Sequence, residues 1–260
     1  MTLRSDGTDL ASKVPAITLG FWLIKVLATT LGETGGDTLS MTMDLGYLVS
    51  TAVFAGLLAA LVWLQVAARG FNPPLYWLTI VASTTAGTTL ADLATRSLGF
   101  GYTGGSTLLL AGVLGSLALW HRTLGSVDVD TVREPKAEAF YWLTITFSQT
   151  LGTALGDWAA DTGDLGYAGA ALVFGGLLAV LAALHFWTGV SRVALFWGAF
   201  ILTRPLGAAV GDFLDKPLDH GGLAFSRPLA SAVLAAAILA LMWALPQRAG
   251  RHPGELATAE

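Results

Sequence analysis

Four times along the chain an aromatic residue stands beside a tryptophan, and the same residues follow each pair at the same distances. The pairs are Phe21-Trp22, Tyr76-Trp77, Tyr141-Trp142 and Phe196-Trp197. Ten residues beyond each Trp is a glycine (Gly32, Gly87, Gly152, Gly207) and fifteen beyond it an aspartate (Asp37, Asp92, Asp157, Asp212). Twenty-four beyond it is another glycine (Gly46, Gly101, Gly166, Gly221), followed by Tyr47, Tyr102 and Tyr167 in three copies and by Gly222 in the fourth. A chain with this regularity has to fold by repeating one unit.

The unit is a pair of membrane-length stretches. Eight mostly apolar segments lie near 15–37, 47–68, 74–95, 104–121, 138–160, 167–188, 193–214 and 224–245. Each has roughly the 20 residues that a helix needs to cross a bilayer. Composition agrees: 54% of the 260 residues are apolar and only 12% charged, about half the charge of a soluble domain. The loops are too short for a folded extramembrane domain. The expected fold is therefore all-α, a single polytopic membrane domain of eight transmembrane helices built from four two-helix repeats at 15–70, 71–125, 136–190 and 191–246. A charged linker at 126–135 separates the halves, and polar tails at 1–13 and 247–260 read as frayed ends. The Trp-to-Trp separations of 55, 65 and 55 place the extra residues in that linker. Copies one and three share further runs, such as Asp-Leu-Gly-Tyr at 44–47 and 164–167, so the halves are themselves related. Each unit crosses twice, which makes the repeat parallel.

The first stretch is not a cleavable signal, since it carries Lys25 and Glu33. Nine Lys and Arg (Arg4, Lys13, Arg69, Arg122, Arg133, Lys136, Arg192, Arg248, Arg251) fall on the side of the termini, against Arg96, Lys216 and Arg227 on the other. The positive-inside rule then puts both termini in the cytoplasm.

These Trp, Gly and Asp positions resemble a family of bacterial membrane proteins made of four tandem copies of a repeat of unknown function, each with two transmembrane segments and a characteristic tryptophan. The resemblance spans about 15–245 and implies an eight-helix protein of the bacterial inner membrane. It implies no activity.

Function has to be read from intramembrane polarity, which the odd-numbered spans hold almost entirely. Positions 3, 7, 11 and 15 after each Trp are one helical turn apart and share a slowly drifting face. In copy one they are Lys25, Thr29, Glu33 and Asp37; in copy two Ile80, Thr84, Thr88 and Asp92. Copy three has Ile145, Gln149, Thr153 and Asp157, and copy four Phe200, Arg204, Ala208 and Asp212. Four odd helices around a pseudo-symmetry axis, with the even ones facing lipid, would enclose a partly hydrated cavity. Thr29, Thr84, Gln149 and Arg204 would line it at mid-depth and the aspartates would converge beyond. The repeated glycines permit close helix contact, and Pro205 is placed to kink the seventh span.

Five acids, Glu33, Asp37, Asp92, Asp157 and Asp212, stand against Lys25 and Arg204, an imbalance of three charges that a cation or shared protons would relieve. Two readings of the aspartates stay open: an ion or proton site, or carboxylates solvated near the membrane surface or capping loop amides. Lys25 is either an ion-pair lock to Glu33 or an Asp, or a substrate group; Arg204 either fixes a carboxylate such as Asp157 or binds an anion. The four tryptophans read as interfacial anchors and packing residues, the Gly-Tyr pairs as turns with an interfacial aromatic, and the acids Asp161 and Asp164 as solvated loop residues.

No cysteine is present, and His121, His185, His220 and His252 lie off the polar ladder, so any metal would be a hard or borderline cation held by oxygen. No hydrolase, zinc-protease or phosphate-loop motif occurs, so an enzyme and a resident cofactor are not expected. Scattered basic residues argue against nucleic acid. The expected function is a secondary transporter of a small cation, coupled to protons through the carboxylates. Transport of a small organic anion clamped by Lys25 and Arg204 is the alternative, as is a non-transporting membrane scaffold or partner subunit. The partners expected are the bilayer and a small ion or molecule, with a homo-oligomer left open.

Overall fold

The computed structural model describes residues 11–163 and 165–251. Arg4, Asp164, His252 and the outer parts of both tails lie outside them. Among the described residues are eight α-helices: α1 (Leu19–Asp37), α2 (Gly46–Ala67), α3 (Pro73–Asp92), α4 (Gly101–Leu124), α5 (Pro135–Asp157), α6 (Gly166–Trp187), α7 (Arg192–Asp215) and α8 (Arg227–Ala244). The odd helices start on local signals. Thr18, Asn72 and Ser191 accept the first free amides of α1, α3 and α7 through their side chains, and Pro135 opens α5, where a missing N–H costs nothing. Helices α2, α4 and α6 begin at the repeat's last glycine, whose φ is +70° at Gly46, +63° at Gly101 and +63° at Gly166. The copy-four glycine, Gly221, has φ +80° but stands several non-helical residues before α8, among them Ala224 with φ +54°. Only glycine takes this left-handed conformation without steric cost, which accounts for its recurrence.

The odd helices form a closed inner ring: α1 packs on α3, α3 on α5, α5 on α7, and α7 back on α1. The even helices form the outer layer, but each leans mainly on the odd helix of the following copy. Thus α2 covers α3, α4 covers α5, α6 covers α7, and α8 closes the circle on α1. The hairpin is the sequence repeat but not the packing unit.

Five helices (α2, α4, α6, α7 and α8) are long and apolar enough to cross a membrane on their own composition. The more polar α1, α3 and α5 stand in the same ring, with their polar faces turned inward. On the outside, Trp63, Leu108, Leu172, Trp187, Val233 and Trp243 of the even helices are largely exposed, as a lipid-facing surface requires. This is a polytopic helical membrane protein.

The end of the bundle that carries the repeat's tryptophans is closed. Each aromatic residue preceding a Trp packs on the next copy's Trp: Phe21 on Trp77 (5.5 Å between ring centroids), Tyr76 on Trp142 (5.8 Å), Tyr141 on Trp197 (6.2 Å) and Phe196 on Trp22 (5.8 Å). Trp77, Trp142 and Trp197 are buried, so the repeat tryptophans are packing residues, and the expected role of membrane-surface anchor falls to Trp63, Trp187 and Trp243 of the outer layer. The Tyr76 and Tyr141 hydroxyls hydrogen-bond at 2.6 Å inside this plug.

Beyond it the terminal segments are knitted together rather than frayed where the structure describes them. Pro15 and Ala249 form an antiparallel bridge, Lys13 N–H donates to the Val132 carbonyl of the linker, and the buried Lys13 ammonium pairs with Glu138 at 2.6 Å.

Candidate cation site and vestibule

All sixteen residues of the four ladders lie in the interior of the ring, none more than 3% exposed where charged or polar. The ring does bring Glu33, Asp37, Asp92, Asp157, Asp212, Lys25, Arg204, Thr29, Thr84 and Gln149 to one axis. It does not enclose a hydrated cavity at mid-depth, and the reason is steric. Thr84 presses on Gly32, Gln149 on Gly87, Arg204 on Gly152 and Thr29 on Gly207, with an added Cβ falling 2.1 to 2.9 Å from the neighbour. A side chain from each helix therefore sits in a notch of the preceding one and fills the axis. A second notch lies one turn further on, where Thr88 packs on Gly36, Ala208 on Gly156 and Glu33 on Gly211. Thr84 and Thr29 donate across these contacts to the carbonyls of Ala28 and Thr203, each at 3.1 Å. Helix α7 continues through Pro205, whose ring lies against Gly152.

Arg204 crosses the axis. Its Nη2 donates to Glu33 Oε2 at 2.9 Å, to Thr88 Oγ1 at 2.6 Å and to Thr153 Oγ1. These three acceptors are the position-11 residues of the other three copies, and Ala208 in the fourth leaves room for the guanidinium. Arg204 thus pairs with Glu33 and not with Asp157. Lys25 makes no ion pair: its Nζ is buried without a hydrogen-bond partner and lies 4.2 Å from the centre of the Phe200 ring, a cation–π contact. Among the described residues the two side chains share no hydrogen-bond or ion-pair partner.

The four aspartates are neither solvated nor caps. Asp92 and Asp157 are bridged by Arg96, through Nε at 2.7 Å and Nη2 at 3.0 Å. Asp37 and Asp212 are bridged by Lys216, whose Nζ lies 2.8 Å from Asp37 Oδ2 and 2.9 Å from Asp212 Oδ1. Arg96 and Lys216 occupy the same repeat position, four residues after the aspartates of copies two and four. That position was legible as an i, i+4 acid–base pair, but its residues had been assigned to the loops. Asp215 and Arg227 join the second cluster, paired at 3.1 Å, with Arg227 Nε also 3.8 Å from Asp37.

The charge balance changes accordingly among the described residues. With Asp215, Arg96, Lys216 and Arg227 added, six acids stand against five bases including Lys25; Arg204 pairs with Glu33, and the outer layer by itself holds Asp37, Asp92, Asp157, Asp212 and Asp215 against Arg96, Lys216 and Arg227, two negative charges in excess. Burial works against the Lys216 ammonium, yet Asp212, Asp37 and Asp215 outweigh it and hold its pKa above the ordinary lysine value.

Three of these acids, Glu33, Asp37 and Asp212, each bring one oxygen within 4.8 Å of the others, a spacing that one cation can bridge. Asp37 Oδ1 is buried without a hydrogen-bond partner. Lys216 and Arg227, which touch this cluster, also line a vestibule of about 520 Å³ together with Met41, Tyr47, Arg96, Asp161, Tyr167, Pro217 and His220. It contains position 19 of all four copies. Tyr47 and Tyr167 face this mouth instead of lipid, and Tyr102 donates to Asp161 at 3.0 Å.

Local backbone explains how position 19 reaches the axis. In copies one to three the odd helix widens just past its aspartate into a π-helical turn, at Thr38–Thr42, Leu93–Ser97 and Trp158–Thr162. Such turns insert an extra residue and re-aim the side chains that follow. Nothing in the residue pattern announced them.

A fourfold ring of helices with a shared axial polar site defines a class of repeat-built membrane bundle. The family described as Repeat of Unknown Function (DUF347) matches four times, over residues 20–71, 75–126, 140–191 and 195–248, and the chain belongs to it. Comparison with curated proteins and with solved structures returned no match.

Proposed function

We propose that the protein is a secondary transporter of a small cation, exchanged against protons at the carboxylates Glu33, Asp37 and Asp212. The observation that carries this reading is the convergence of those three buried oxygens within 4.8 Å, next to Lys216, which lines the vestibule, in a layer with two negative charges in excess. A divalent cation or two protons would cancel that excess, and oxygen-only ligands suit Mg²⁺, Ca²⁺ or Mn²⁺. Because protons and metal compete for the same carboxylates, each releases the other.

Glu33 supplies the coupling. It belongs both to the cation cluster and to the Arg204 pair that blocks the axis beneath, so a cation drawing on Glu33 weakens the block, and a proton on Glu33 removes the charge that holds Arg204. The vestibule would open outward from the bacterial inner membrane, with the aromatic plug and both termini in the cytoplasm. The basic count supports this side, since Arg96, Lys216 and Arg227 at the vestibule end are all engaged with carboxylates.

Proteoliposomes holding a pH-sensitive dye test the reading. Imposed gradients of Na⁺, K⁺, Mg²⁺, Ca²⁺ and Mn²⁺ should give a pH change for one ion and not the others, and Asp37→Asn should abolish it in folded protein. Silence for every ion, with the same protein shown to be folded, overturns the reading.

A further inference from the structure

The cation cluster already contains a cation, the ammonium of Lys216. Its Nζ stands 2.8 Å from Asp37, 2.9 Å from Asp212 and 4.0 Å from Asp215. Arg96, its counterpart in copy two, is held differently. Two separate nitrogens of a planar guanidinium each take one aspartate, a clamp that fixes both acids. An ammonium is a compact point charge on a flexible stem and imposes no such geometry.

We propose that Lys216 is a tethered counter-ion occupying the cation site, and that an arriving divalent cation displaces its ammonium into the vestibule. This inference deepens the proposed function and rests on its assignment of the site. Four observations carry it. Lys216 lies just beyond the end of α7 on extended backbone, so its side chain can swing without disturbing a helix. It lines the vestibule together with Asp161, an acid that no lysine or arginine pairs with among the described residues and that can receive it. Arg227 keeps Asp215 paired at 3.1 Å when Lys216 leaves and stands 3.8 Å from Asp37, so Asp37 and Asp212 lose their close partner, and these are the two acids that share the metal-spaced cluster with Glu33. Asp37 Oδ1 is buried and lacks a hydrogen-bond partner even with Lys216 in place, so the ammonium leaves the site incompletely satisfied.

A tethered occupant keeps the acids neutralised between cargoes and sets an affinity threshold, because every cargo ion competes with a counter-ion of high local concentration. Like-charge proximity then favours one of the two cations leaving before the site is reset.

The test is equilibrium binding of Mn²⁺ alone to the purified full chain in detergent, with no gradient imposed, for wild type, Lys216→Gln, Lys216→Arg and Asp212→Asn. Removing the competitor in Lys216→Gln should tighten Mn²⁺ binding at least tenfold. Lys216→Arg, which substitutes a fork of the Arg96 kind, should weaken it at least tenfold, and Asp212→Asn should abolish it. A merely structural lysine would not move affinity in opposite directions for the two variants. Equal affinity in wild type and both lysine variants overturns the inference. If Lys216→Gln does not fold, unchanged affinity in Lys216→Arg overturns it alone. The two readings fail separately: opposite affinity changes without ion flux in proteoliposomes retain the tethered counter-ion and remove transport, whereas flux with Lys216-independent affinity does the reverse.

Discussion

At the scale of single residues, the buried Arg204–Glu33 pair is the contact on which the axis depends. Removing one member leaves an uncompensated charge in a dry, low-dielectric interior, which costs about 3–5 kcal/mol. Arg204→Met and Glu33→Gln should each lower the thermal stability of the purified protein by that order, and the double variant should recover more than half of the loss. Additive losses in thermal unfolding would show that the pair is not a unit. The carboxylates also set a pH dependence. Since Glu33, Asp37 and Asp212 must be ionised to hold a metal, Mn²⁺ affinity should fall as pH is lowered, in a titration series at constant ionic strength. Most of these residues were legible in the sequence, because intramembrane charge is costly and four copies in register expose every departure from the pattern. Their partners were not. Arg96 and Lys216 sit just past the end of a span and Arg227 at the start of the last one, and only the three-dimensional fold returns them to the acids.

At the scale of elements, the ring is held by notches. The glycine ten residues after each Trp accepts a side chain from the next odd helix, so Gly32, Gly87, Gly152 and Gly207 each have a neighbour where a Cβ would go. Gly56 on α2 and Gly176 on α6 have nothing within 4 Å. Alanine at any of the four ring positions should lower the melting temperature, whereas Gly56→Ala and Gly176→Ala should not, since open helix positions tolerate a methyl group and gain helix propensity. Thermal melts of the six variants check this. Helix boundaries, the odd-inside and even-outside arrangement and the repeated glycine turn all followed from spacing and polarity. The π-helical turns did not, because no side-chain pattern encodes one extra backbone residue. The packed axis did not either, because spacing fixes which residues face inward but not whether they meet.

At the scale of the whole molecule, the even helices interlock the halves. Helix α4 of the first half covers α5 of the second, and α8 of the second covers α1 of the first. Each half alone leaves one of its ring helices uncovered, α1 in the first and α5 in the second. The fragments obtained by cutting within linker 126–135 should therefore fail to accumulate singly and should co-purify when expressed together, read by affinity capture of one half. A half that is stable and monodisperse by itself would contradict the interlocked packing.

The same offset packing bears on descent. An even helix that rests on the following copy gives each hairpin a donor face and an acceptor face, a head-to-tail contact that closes after four units. A lone ancestral hairpin with these faces would assemble as a cyclic homotetramer. In such an assembly every axial group occurs four times, and four arginines at the level of Arg204 would repel one another in a space that holds one. Gene duplication into a single chain lifts that restriction. It allows one arginine, one glutamate and one lysine where symmetry would demand four of each, so the functional asymmetry of the axis is something only the fused chain can possess.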